Sequence, residues 1–143
     1  MNYKFGKSSL KHKKTIHVEL ELILESALEK SPMDFGISDG FRSKDRQHEL
    51  YRKGLSKIDG HERKGKHNVK PSMAVDIYAY HSGKAQFDQA SMCFLAGVIL
   101  GVAEDLRNRG IIKHRIRWGG NWNMDGVIIY DQSFQDLCHF EMV

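Results

Sequence analysis

Residues 73–79, Met73-Ala74-Val75-Asp76-Ile77-Tyr78-Ala79, alternate with the period of a β-strand, and their reading decides the fold. Val75, Ile77 and Ala79 share one face, while Ala74, Asp76 and Tyr78 share the other. The first set suits a packed core. A carboxylate in the middle of such a strand costs several kcal/mol to bury unless donors or a cation receive it. Asp76 therefore points away from the core and requires a partner.

Downstream, residues 86–109 form the longest predicted helix, with Phe87, Met92, Leu95, Ala96, Ile99, Val102 and Leu106 in a broad apolar stripe. Gly97 and Gly101 within it each weaken the helix by roughly 1 kcal/mol relative to alanine, which predicts close packing against a neighbour. Two strands follow, near 115–118 and 138–142; in the second, Cys138, Phe140 and Met142 face one way and His139 and Glu141 the other. Asp136 would face away from His139 if that strand ran straight, so one site for both requires a turn or bulge near Leu137. Upstream, Val18, Leu22, Ile23, Ala27 and Leu28 follow helical spacing over 17–30, ended by Ser31-Pro32. A short strand over 35–38, a turn at Asp39-Gly40 and a helix over 44–53 closed by Gly54 come next. Residues 55–71 are charged and aperiodic, a loop that carries His67. The expectation is an α+β fold: one small mixed domain over residues 1–143, with a short antiparallel sheet and helices packed around it.

The composition allows this. A chain of 143 residues can bury one core, and 41% hydrophobic with 28% charged residues excludes a disordered or low-complexity chain. A net charge of +4 favours an anionic partner: nucleic acid, acidic lipid or an anionic cell-wall polymer. The basic run at 11–14 has no aromatic interleaving, so no nucleic-acid partner is expected. Cys93 and Cys138 make no spaced framework and read as small buried hydrophobes. Residues 1–6 lack the apolar core of a signal peptide, and the apolar stretch at 94–102 is short of a membrane span. The expectations are a cytosolic product without stable membrane insertion, and a separate means of release if its substrate lies outside.

Chemistry concentrates in His67, Asp76 and the segment Asp136-Leu137-Cys138-His139. Two histidines and one carboxylate can hold zinc with one position open, and a further carboxylate can act on bound water. Taken singly, His67 is equally a solvated loop residue and His139 a satisfied buried histidine. His12, His17, His48, His61, His81 and His114 lack comparable placement and read as surface residues.

Gly40-Phe41-Arg42-Ser43 with Gln47, Lys66-His67 leading to Ala74-Val75-Asp76, Arg117-Trp118-Gly119-Gly120-Asn121-Trp122, and 134–141 resemble, in order, the motifs of the D-alanyl-D-alanine carboxypeptidase and L-alanyl-D-glutamate peptidase family, which includes VanY and VanX. The opening Phe5-Gly6-Lys7-Ser8-Ser9-Leu10 and Ser31-Pro32-Met33-Asp34-Phe35 are similar to its bacteriophage endolysins. The resemblance implies zinc held by His67, Asp76 and His139, with Asp136 as the catalytic acid–base. It also implies Arg42 as an oxyanion or substrate contact, with a fold-bracing arginine as the alternative. Gln47, Trp118 and Trp122 are expected at the substrate, although both tryptophans also suit packing around Gly119-Gly120. Two departures stand out: the stretch from His67 to Asp76 is longer than is usual in the family, and Gly65 replaces a common serine.

The implied function is a phage-type zinc peptidase acting on the peptide stem of bacterial peptidoglycan, first at the L-alanyl–D-glutamate bond. A D,D-carboxypeptidase releasing D-alanine, or a non-catalytic cell-wall-binding module, are the alternatives. A monomer is expected, made in the host cytoplasm without a signal peptide, acting at the cell wall and released through a separate holin.

Overall fold

The computed structural model describes residues 2–61 and 63–143. Helices α1 (Lys7–Lys13) and α2 (Val18–Lys30) precede strand β1 (Asp34–Asp39) and helix α3 (Lys44–Arg52). A single 3₁₀ turn (Lys66–Asn68) leads to β2 (Ala74–His81) and β3 (Lys84–Gln86), followed by helix α4 (Gln89–Asn108), β4 (Ile116–Gly119) and β5 (Asp136–Met142). The strands form one five-stranded sheet in the order β1-β2-β5-β4, with β3 also on β2, and every pairing is antiparallel. This is the expected α+β domain.

Strand alternation sorts the sheet into two faces. Val75, Ile77 and Ala79 of β2, Phe140 and Met142 of β5, and Ile116 and Trp118 of β4 meet Leu20, Ile23, Leu24 and Ala27 of α2 and Met92, Leu95, Ile99 and Val102 of α4 in a single buried core. Asp76, His139, Glu141 and Arg117 project from the opposite face. Register aligns them, because Asp76 lies across from His139 and Arg117 across from Glu141. The β4–β5 pairing slips between Trp118 and Gly119, so that Gly119 pairs with Asp136. That irregularity is the one required to bring Asp136 to the side of His139.

Several local expectations change. Helix α1 has no apolar stripe to announce it; the buried Ser9 holds it to β1, with its Oγ accepting the Ile37 N–H at 3.0 Å. Helix α4 begins at Gln89, capped by the Asp88 carboxylate on the Ser91 N–H, because β3 takes residues 84–86. Phe87 accordingly stands outside the stripe and is exposed. Helix α4 is long and apolar enough to cross a membrane by length and composition, unlike the shorter stretch expected, yet its Met92–Leu95–Ile99 side belongs to the core. His17 and His114 are structural rather than superficial. The His17 ring caps α2 by accepting the Glu19 N–H, and His114 reaches the Glu19 carboxylate at 3.1 Å. Cys93 packs against the core as a partly buried residue, whereas Cys138 borders the cleft described below.

Gly97 and Gly101 do not mark a helix contact, since a Cβ at either would meet nothing within 4 Å. Gly119 is the glycine that packing demands: a Cβ there would lie 2.0 Å from the Asp136 carbonyl oxygen. Opposite outcomes follow in thermal melts. Gly97→Ala should stabilise the protein by about 0.5–1 kcal/mol by restricting the unfolded chain. Gly119→Ala should cost about 1–3 kcal/mol through overpacking.

Candidate metal centre and active site

The long connection from His67 to Asp76 is held at both ends. The Arg42 N–H donates to the His67 carbonyl at 2.7 Å, and the Asn68 side-chain amide donates to the Arg42 carbonyl at 3.0 Å. Farther on, Ser72 is fully buried and pairs with the segment before α2: its N–H donates to the Thr15 carbonyl and its carbonyl accepts the His17 N–H, each at 2.8 Å. Residues 69–71 are exposed between these anchors, and Asp76 stays in register with His139. His67, expected in a solvated loop, is buried at 5% exposure.

His67 Nε2, Asp76 Oδ1 and His139 Nδ1 converge, with separations of 3.3 Å for His67–Asp76, 3.2 Å for His67–His139 and 3.1 Å for His139–Asp76. The far sides of both rings assign their protons. His67 Nδ1 lies 2.6 Å from the Gly40 carbonyl, which can only accept, so Nδ1 carries hydrogen and Nε2 is the atom turned inward. His139 Nε2 lies 2.8 Å from Glu141 Oε1 and donates to it, which turns Nδ1 inward, 3.1 Å from Asp76 Oδ1. Three potential ligand atoms thus face one another in a buried place. In the metal-free protein a proton on His139 bridges to Asp76, and a metal cation would take that proton's place among all three. His67, Asp76 and His139 therefore fit a metal ion.

An outer shell holds the carboxylate ligand. Asp76 Oδ2 accepts from Arg42 Nη2 at 2.9 Å; Arg42 Nε donates to Asp39 at 2.7 Å and Nη1 to Gln47 Oε1 at 3.0 Å. Gln47 is 2% exposed, and its amide nitrogen is used on Ser56 Oγ and the Ile58 carbonyl. Both residues border the cleft, and through these bonds they position Asp76 and the 56–58 loop, with two of the five Arg42 N–H donors left over. Glu141 is clamped between His139 and Arg117, whose Nη2 donates to it at 2.7 Å.

Electrostatics follow from this wiring. Burial opposes ionisation of Asp76, but the adjacent His67 and His139 outweigh it and hold the carboxyl well below its usual range. Burial would lower His139, yet its hydrogen bonds to Asp76 and Glu141 prevail and raise it to about 9. Glu141 is lowered to about 2, burial being overcome by hydrogen bonds from His139 and Arg117. Asp136 shifts the other way. Burial and the negative charge of Asp76 both push its carboxyl up, while its Oδ1 accepts the Cys138 thiol at 3.3 Å. Burial also pushes the thiol up and keeps it protonated as that donor.

These groups open into a cleft of about 560 Å³, walled by α3, residues 55–58 and 64–66, and the β4–β5 connection. Trp122 lines it: its ring centroid stands 5.7 Å from that of His139 and stacks on Phe134 at 6.1 Å. Trp118 does not. It is 2% exposed, donates Nε1–H to the Leu137 carbonyl at 2.8 Å and fills the space that a side chain at Gly120 would need. Its expected place at the substrate is thereby corrected to packing under the Gly119-Gly120 turn. Glu141 and Arg117 escaped the sequence reading, although strand alternation had already set Glu141 beside His139. The Gly40 carbonyl carried no side-chain signal at all.

The model of the phage L-alanyl-D-glutamate peptidase family matches residues 1–143. The chain belongs to this family. The L-alanyl-D-glutamate peptidase of Escherichia phage T5 is 30% identical to this peptidase over 126 residues, which span 88% of the present chain and 86% of the phage T5 protein. Among solved structures, the L-Ala D-Glu endopeptidase ChiX of Serratia marcescens matches the peptidase with a TM-score of 0.72 and 26% identity, covering 98% of this chain and 90% of ChiX. The peptidase is thus a hydrolytic enzyme with a candidate metal centre in its cleft.

Glu141 fixes the orientation of a candidate metal-binding imidazole in this peptidase, so its loss should be read in metal affinity. Glu141→Gln should weaken Zn²⁺ binding roughly 10- to 100-fold in a competition titration while the fold persists by circular dichroism.

Proposed function

We propose that this phage-family peptidase is a zinc enzyme that hydrolyses the L-alanyl–D-glutamate bond in the peptide stems of bacterial peptidoglycan, acting as an endolysin. The observation that carries the reading is the convergence of one ligand atom each from His67, Asp76 and His139, in one cleft with Asp136, a carboxylate whose proton affinity is raised. Two imidazoles and one carboxylate form a donor set typical of catalytic zinc with an open position. Zinc bound there would polarise the scissile carbonyl and lower the pKa of a water molecule toward neutrality.

The chain's own residues supply the proton traffic. Asp136 takes a proton from the attacking water as its oxygen bonds to the alanyl carbonyl carbon, and then delivers that proton to the glutamyl nitrogen as the carbon–nitrogen bond breaks. A carboxylate made more basic by burial is better suited to this than one at its ordinary value. Arg42 acts through Asp76, holding the oxygen that faces away from the metal; Glu141 acts through His139 in the same way. Trp122, beside His139, gives the cleft an apolar wall against which a stem peptide can lie. A pure binding module has no use for a base such as Asp136 beside a metal. A monomer made in the host cytoplasm and reaching the wall through a separate holin completes the proposal.

Mass spectrometry of fragments from purified peptidoglycan tests the reaction. With zinc, new amino termini on D-glutamate are expected, and a chelator should abolish them; free D-alanine instead would indicate a D,D-carboxypeptidase, and no cleavage would defeat the proposal. Asp136→Asn should lower kcat at least about 100-fold, the lower range for a lost general base, with zinc stoichiometry unchanged. Zinc uptake should also depend on pH. His139 holds a proton up to about 9 in the metal-free protein, and the metal must displace it. Affinity should therefore rise by about tenfold per pH unit below that value and level off above it, with one proton released per zinc in calorimetry across buffers.

A further inference from the structure

Charge around the cleft is unevenly settled. Six basic side chains border it, Arg42, Arg46, Lys57, Lys64, Lys66 and Arg117, against four carboxylates. Arg42 is taken by Asp39 and Asp76, Arg117 by Glu141, and Arg46 by Glu49 at 3.3 Å. Lys57, Lys64 and Lys66 pair with no carboxylate among the described residues. All three lie between α3 and His67, along one wall. Lys57 reaches across the cleft, its Nζ 4.9 Å from the centroid of the Phe134 ring, and Phe134 stacks on the Trp122 that neighbours His139. Lys57 thereby carries the positive charge to the aromatic pair beside His139. Lysines along one wall of a cleft, with no carboxylate partner among the described residues, raise the local positive potential and favour an anion there.

The substrate proposed above brings one. When D-glutamate continues the stem through its γ-carboxyl, its α-carboxylate stays free and is attached to the carbon that bears the scissile nitrogen. Cleavage at that nitrogen puts the anion beside the metal centre, within reach of whichever cations the cleft leaves uncommitted. Arg42 and Arg117 already face protein carboxylates; among the described residues the lysines face none. Resting on the proposed reaction, we propose that Lys57, Lys64 and Lys66 form a carboxylate-recognition wall that binds the free α-carboxylate of γ-linked D-glutamate. The peptidase is then selective for stems that are not amidated at that position. Ammonium groups on flexible stems suit this task, since they meet a carboxylate as mobile point charges without the fixed geometry of a guanidinium.

The test compares two synthetic stems, one ending its D-glutamyl unit in the free α-carboxylate and the other in the α-amide, with the zinc-loaded full chain at fixed ionic strength. Amidation should lower the wild-type kcat/KM by about tenfold, mainly through KM, a loss in keeping with two partly exposed ion pairs. In K64Q/K66Q the ratio of kcat/KM for the two stems should fall, and K64R/K66R should restore it. Salt gives a second measurement that needs no variant: added NaCl should raise the wild-type KM for the acid stem and leave that for the amide nearly constant. Equal cleavage of both stems by the wild type, an undiminished ratio in K64Q/K66Q, or equal salt sensitivity would overturn the wall. Failure to cut either stem at this bond would instead defeat the proposed reaction, and the wall with it.

Discussion

Everything in the site depends on one pairing: Asp76 of β2 lies directly across from His139 of β5. Side chains on paired residues of antiparallel strands share a face, so this register alone brings two of the three metal-binding candidates together. The same register sets Val75 across from Phe140, and both are buried in the core. A slip by one residue would drive Asp76 and His139 into the hydrophobic layer and expose Phe140. The core thus polices the geometry of the polar face. Burial of Val75, Ile77, Phe140 and Met142 beneath α2 and α4 makes that slip far costlier than any small adjustment within the site.

The third candidate comes from outside the sheet and needs a different device. His67 sits on a short 3₁₀ turn, and its ring is aimed by the Gly40 carbonyl at the end of β1. Gly40 is itself wedged against Thr15, where a Cβ would lie 2.4 Å from the hydroxyl oxygen. Each metal-facing atom therefore has a partner behind it: Gly40 for His67, Arg42 for Asp76 and Glu141 for His139. These partners orient both rings and the carboxylate toward the place an ion would take, so the geometry is set before a cation displaces the His139 proton.

Much of this was legible in the chain because strand alternation is a strong signal. It separated Asp76 from Val75 and Ile77, set His139 with Glu141, and required the irregularity that the structure has between Trp118 and Gly119. The site residues that stayed hidden are those whose role depends on contacts distant in sequence. The Gly40 carbonyl is invisible to any pattern of side chains. Arg42 resembled an oxyanion or substrate contact, with bracing as the alternative, and its hydrogen bonds to Asp39, Gln47 and Asp76 reveal what it braces. Trp118 and Trp122 look alike in sequence, but β4 ends between them, leaving one in the core and the other on the cleft. Helix α1 escaped because a seven-residue helix held by one buried serine leaves no periodic trace.

The bracing of Ser72 by Thr15 and His17 bears on how such a chain can change over time. Thr15 also receives the Phe41 N–H on its hydroxyl at 2.9 Å, so a three-residue stretch ahead of α2 holds both the Gly40–Arg42 corner and the end of the His67 loop. Length between His67 and Ser72 is consequently cheap to vary, because any added residues bulge into solvent from fixed posts. Length between Thr15 and α2 is not. Lineages related to this protein should accumulate insertions in the first interval and tolerate almost none in the second, which makes the segment ahead of α2 a hidden part of the metal loop's scaffold.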